Sequence, residues 1–84
     1  MIPYGKIATI AQLGQAIRQR RRAAGVSQAD AAALAGVGTR FLSELERGKK
    51  TAEVGKVLQI LERLGLELWI VPRGARDGLE VARG

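Results

Sequence analysis

The chain has 84 residues, with 14 Lys and Arg against 8 Asp and Glu, giving a formal net charge of +6. One small domain of this length buries only roughly 60 to 65% of the surface its unfolded chain exposes, so a second subunit commonly adds stability. Cysteine and histidine are both absent, which removes the disulfide framework, the usual zinc site, the thiol nucleophile and the imidazole base.

The sequence also has only two serines, Ser27 and Ser43, and its eight acids form no nucleophile and base pair at motif spacing; the expectation is a protein that is not an enzyme and uses no cofactor and no metal. Its longest apolar stretch in the second half is Leu68 to Val71, far short of the ~18 residues of a membrane span. Pro3, Tyr4, Gly5 and Lys6 do not lead into an apolar core as a signal peptide would. A soluble cytoplasmic protein with no membrane partner is expected. With one Trp, one Tyr and one Phe, aromatic stacking on single strands is disfavoured as the main binding mode.

Residues 1–9 form an N-terminal segment able to supply a short strand over Ile2 to Ile7, interrupted by Pro3 and Gly5. Thr9 followed by Gln12 is a capping box, after which Ile10, Leu13, Ile17, Arg21 and Ala24 repeat at helical steps up to Gly25; this predicts a helix over about 10–24. Ser27 and Asp30 open a second, short helix with Ala31, Leu34 and Ala35 inward and Gly36 as its stop. A third helix runs from about Thr39 to Arg47, with Phe41, Leu42 and Leu45 inward and Gly48 beyond its end. Thr51 is expected to cap a fourth, whose stripe is Val54, Val57, Leu58, Leu61 and Leu64 and whose stop is Gly65.

The pattern then changes period. Leu66, Leu68 and Ile70 alternate with Glu67, Trp69 and Val71 before Pro72, which predicts a strand over 66–72. A lone strand cannot satisfy its own backbone. It pairs either with the same strand of a second copy, making Leu66, Leu68, Trp69 and Ile70 dimerisation residues, or with Ile2 to Ile7 of its own chain, or with both in one shared sheet. The tail, 73–84, holds three Arg, three Gly and little periodicity and is expected to be mobile.

Charge is unevenly spread. Residues 1–24 carry Lys6, Arg18, Arg20, Arg21 and Arg22 and no acid, a local charge of +5. Such a local excess suits a polyanion, although a solvated arginine-rich helix face has the same composition. The short helix, glycine turn and second short helix of residues 27–47 match a helix-turn-helix, whose second helix offers its N-terminal residues to a major groove about 12 Å wide. Two charges occupy inward positions: Arg21 on the stripe of the first helix and Glu46 four residues after Leu42. They read as one ion pair joining the first and third helices, the alternative being that both side chains reach water past the edge of the core.

At these residues the sequence resembles a known family. Gly25-Val26-Ser27-Gln28-Ala29-Asp30 through Leu34-Ala35-Gly36-Val37, followed by Phe41-Leu42-Ser43-Glu44-Leu45-Glu46-Arg47-Gly48-Lys49, is similar to the XRE, or Cro-type phage-repressor, helix-turn-helix family over about residues 10–65. Gly38 departs from it, because the family usually has Ser or Thr as the cap there. The strand over 66–72, in place of the family's usual fifth helix, with Lys49-Lys50-Thr51 and the helix after it, resembles the HipB-like antitoxin branch. The resemblance implies a mainly α fold, a four-to-five-helix lambda-repressor-like helix-turn-helix domain at 10–65, with the C-terminal β-strand forming an intersubunit sheet. It implies a repressor that binds double-stranded operator DNA of its own operon as a homodimer and holds a HipA-like kinase toxin.

Carried onto this sequence, the resemblance implies that Ser27 and Gln28 bond a phosphate beside the helix N-terminus. Thr39, Arg40 and Ser43 would face the groove, with Arg40 forking onto guanine O6 and N7. Glu44 would lie on the flank, where a carboxylate is more often solvated or paired with arginine than accepting from cytosine. Lys49 and Lys50 would clamp the backbone, and Arg21 and Glu46 would be the family's ion pair beneath the motif. Two other readings use the same fold: a stand-alone regulator, and a protein-interaction adaptor with little DNA affinity.

Overall fold

The structure, a computed structural model, describes residues 4–74. Ile2 and Pro3 of the N-terminal strand, and the tail from residue 75 on, lie outside the described residues. Four helices follow in order: α1 (Ile10–Ala23), α2 (Gln28–Ala35), α3 (Thr39–Glu46) and α4 (Val54–Arg63). The architecture is the expected mainly α one. α1 packs on α3, and α2 packs on both α3 and α4.

α1 starts where its capping box predicts. Thr9 Oγ1 accepts the Gln12 N–H at 3.1 Å, and Gln12 Oε1 accepts the Thr9 N–H at 3.1 Å. The core is built on Ile17, Leu42, Leu45 and Ile60, all almost fully buried, with Ala31, Ala32, Ala35, Val57, Leu61 and Leu64 around them. Each of the four large side chains contributes on the order of 1.5–3 kcal/mol. Phe41, Val26, Val37 and Leu66 pack half-buried against this cluster.

Gly14 sets the distance between α1 and α3. A Cβ there would lie 2.9 Å from Glu46 O and closer still to Leu45 O. Glycine in a helix interior costs about 0.5–1 kcal/mol relative to alanine, and here that cost is offset by letting the two backbones meet. α4 ends at Gly65, whose φ of 73° is left-handed. The Gly65 N–H donates to Glu62 O and the Leu66 N–H to Leu61 O at 2.8 Å, so Leu66 belongs to the helix stop and is half-buried.

Several expected positions differ. Leu34 is 61% exposed, whereas Ala31, Ala32 and Ala35 are buried. At 100° per residue the three alanines fill one arc and Leu34 falls about 60° outside it. Val54 and Leu58 are likewise exposed, on the rim of an arc formed by Val57, Ile60, Leu61 and Leu64. Ala24 is exposed, because α1 has ended. Thr51 does not cap α4: the helix begins two residues later, with Glu53 in the cap position and no side-chain cap bond.

Residues 66–72 make no strand pairing within the chain among the described residues, nor do residues 4–9. No hairpin joins the two segments there. Leu68, Trp69, Ile70 and Val71 are exposed, Ile70 by 91%. The Trp69 indole N–H donates to Glu67 Oε2 at 3.0 Å, which puts these alternate residues on one side, as in an extended chain. Among the described residues no helix is long and apolar enough to cross a membrane.

Candidate nucleic-acid interface

The site is assembled by the angle between α2 and α3. α2 begins at Ser27, an extended residue whose Oγ accepts the Asp30 N–H at 3.1 Å. That bond uses an acceptor lone pair and leaves the hydroxyl proton able to donate. The next residue, Gln28, is half-buried, and its Nε2 donates to Glu46 Oε1 at 3.0 Å. An amide nitrogen carries two protons, so one remains for a second acceptor.

Glu46 is the centre of the arrangement. Arg21 Nε donates to its Oε2 at 2.7 Å and Arg21 Nη2 to its Oε1 at 3.0 Å, while Arg21 Nη1 donates to Val26 O at 2.9 Å. One guanidinium thus ties α1 to α3 and to the turn before α2, and Gln28 adds α2. The Arg21–Glu46 pair read from the inward charges is present and buried. The hydrogen bond to Glu46 raises the Arg21 pKa against the opposing effect of burial. Burial alone would push the Glu46 carboxyl up; the bonds from Arg21 and Gln28 and the charges of Arg21 and Arg18 outweigh it and hold the carboxyl below its ordinary range. Among the described residues, no buried side-chain nitrogen or oxygen lacks a partner.

α3 starts at Gly38, an extended residue that offers no side-chain bond to the helix. Thr39 and Arg40 in its first turn are exposed, Arg40 with 91% of its side chain in solvent, and Ser43 is half-buried one turn on. Lys49 and Lys50 are exposed just past the end of the helix. Glu44 Oε2 accepts from Lys49 Nζ at 3.3 Å and lies 3.7 Å from Arg40 Nε. The structure therefore brings Gln28, Arg21 and Glu46 into one network and lines up Arg40, Glu44 and Lys49 in another. Leu66 packs half-buried against the core, and Leu68, Trp69 and Ile70 are exposed on the segment after α4.

Three contributors escaped the sequence reading. Gln28 as third member of the buried pair has no signal in spacing. Arg20, one of four arginines crowded near the end of α1, turns inward, its Nε donating to Leu64 O at 2.8 Å to cap α4. Gly14 did leave a signal, an unexplained glycine inside a helical stripe.

A buried ion pair under two short, angled helices, with an exposed basic side chain on the second, defines a helix-turn-helix protein. The comparisons agree. The sequence model of a family described as "Helix-turn-helix domain" matches residues 12–68. A protein of Sinorhizobium fredii (strain NBRC 101917 / NGR234), described as "Uncharacterized HTH-type transcriptional regulator y4mF", is 44% identical over 71 residues, which is 84% of this chain and 93% of that protein. A solved complex of a HipB variant with an O2 20mer superposes with a TM-score of 0.75 at 25% identity, covering 82% of this chain and 96% of that one. HipB in complex with an O4 20mer gives the same TM-score of 0.75 at 23% identity, over 82% and 97% of the two chains. The chain belongs to the helix-turn-helix domain family of DNA-binding transcriptional regulators, and its fold is that of HipB.

Proposed function

We propose that this regulator is a sequence-specific repressor of antitoxin type, which binds operator DNA of its own operon as a two-fold homodimer in the cytoplasm and holds a HipA-like kinase toxin. The observations that carry the DNA part are the exposure of Arg40 in the first turn of α3, with 91% of its side chain in solvent, the half-buried Gln28 at the start of α2 and the exposed Lys49 just past the end of α3. These are the positions from which a helix-turn-helix reads a major groove and holds the flanking phosphates. Likeness to HipB, solved with a 20mer, supports that reading. Arg40 is the base reader, Thr39 and Ser43 lie along its face, and Ser27, Gln28, Lys49 and Lys50 hold phosphates.

The dimer part rests on the apolar run Leu68 to Val71, which an isolated chain leaves exposed. Pairing it antiparallel with its symmetry mate closes an edge otherwise prone to aggregation, and makes a shared sheet of the strand over 66–72. Two reading helices would then stand about 34 Å apart, one turn of B-DNA. The toxin part rests on the likeness to HipB alone, and a kinase-like reading frame beside this one would support it.

A salt-titrated binding measurement on the DNA upstream of the coding sequence tests the proposal. Affinity is expected to fall steeply with salt, by about 0.9 in log K per log salt for each phosphate neutralised. A flat response would refute DNA binding and favour the adaptor reading, for which the side-chain-free cap at Gly38 is the structural argument.

A further inference from the structure

We propose that Glu44 sets the specificity of the reading helix: its carboxylate holds Arg40 in position for a base and off the phosphates, and weakens the phosphate contact that Lys49 makes on any sequence. This rests on the DNA-reading role given to Arg40 above. Three observations carry it. Glu44 Oε2 serves two cations at once, Lys49 Nζ at 3.3 Å and Arg40 Nε at 3.7 Å. The Lys49 N–H also donates to Glu44 O at 3.0 Å, so the same residue holds the lysine by backbone and side chain. And the carboxylate is the fixed member, with 22% of its side chain exposed against 52% for Lys49 and 91% for Arg40.

The geometry favours a base over a phosphate. Arg40 faces Glu44 through Nε, which leaves its two terminal nitrogens to fork end-on onto guanine O6 and N7. Guanine can be read with the pair intact. Phosphate contact by Lys49 draws the ammonium off the carboxylate and leaves a negative charge facing a negative backbone, a penalty that falls on every sequence alike. Glu44 thus works through Arg40 and Lys49 as a positioning residue. Exposed ion pairs are weak, so its effect is a few-fold one.

The test measures binding of the full chain to the duplex upstream of its coding sequence and to a random duplex of equal length, at several salt concentrations, for the natural chain, Glu44→Gln, Arg40→Ala and the double variant. Glu44→Gln is expected to bind random DNA about three- to tenfold more tightly, with a salt slope steeper by about one. The ratio of upstream to random affinity should fall about three- to fivefold. In the Arg40→Ala background the same substitution should leave the ratio unchanged, which a merely structural role would not produce. A ratio unchanged by Glu44→Gln alone, with binding otherwise intact, overturns the role of Glu44 only. Failure of the natural chain to distinguish the duplexes overturns the DNA-reading itself, and this proposal with it.

Discussion

Arg21 of α1 and Glu46 of α3 form a two-pronged ion pair, at 2.7 Å and 3.0 Å, with only 10% and 2% of their side chains exposed. The pair is less a source of net stability than a commitment, since either charge left alone is buried without compensation. Glu46→Ala is expected to lower stability by about 3–5 kcal/mol. Replacing both residues by alanine should recover part of the loss. Urea unfolding of the two single variants and the double gives the coupling, and strictly additive losses would show that the pair does not act as a unit.

Acid dependence follows from the same carboxyl. Its pKa is depressed in the folded chain, so the unfolded chain takes up the proton more readily. The stability it contributes is present above the ordinary carboxylate pKa of about 4.3, and is lost as pH falls through the lower folded value. The stability difference between the natural chain and Glu46→Gln should therefore be constant from neutral pH to about pH 5 and shrink below that. A difference that instead grew on acidification would contradict the assigned direction.

The contact between α1 and α3 predicts opposite outcomes for two glycines. Gly14→Ala puts a Cβ 2.9 Å from Glu46 O and should destabilise by about 1–3 kcal/mol, because backbone cannot rotate away. Gly55→Ala, where an added Cβ meets nothing within 4 Å, should stabilise by about 0.5–1 kcal/mol through better helix propensity in α4. Thermal unfolding of both variants distinguishes them, and a neutral Gly14→Ala would mean that the helices are not in backbone contact.

Helix starts, stops and the buried pair were legible because each is a local signal: Thr9 with Gln12, Ser27 with Asp30, and a charge on an apolar stripe. What was not legible depends on the angle between elements. Leu34 looks inward by periodicity, but α2 presents its alanine arc to the core and turns the leucine out. Thr51 has the right chemistry for a cap and stands too early for α4. The resemblance gives Gln28 to a phosphate, and its bond to Glu46 depends on where α3 ends relative to α2. The period-2 pattern of 66–72 was real in the sequence, but a single chain holds no described partner for it.

That segment gives a fourth prediction. Ending the chain after Leu66 keeps the half-buried stop of α4 and removes Leu68, Trp69, Ile70 and Val71. The shortened protein should stay folded, sediment as a monomer and lose its tight grip on a palindromic operator, since two half-sites are no longer held together. A shortened chain that remained a dimer would exclude 68–71 as the contact.

Reading of sequence by α3 through Arg40 is tested by comparing Arg40→Ala with Lys49→Ala on operator and random DNA at fixed salt. Arg40→Ala should weaken operator binding by about 1–3 kcal/mol and leave random binding nearly unchanged, because a base contact carries discrimination. Lys49→Ala should weaken both alike and lower the salt slope by about one. Equal loss on the two DNAs for Arg40→Ala would contradict the account.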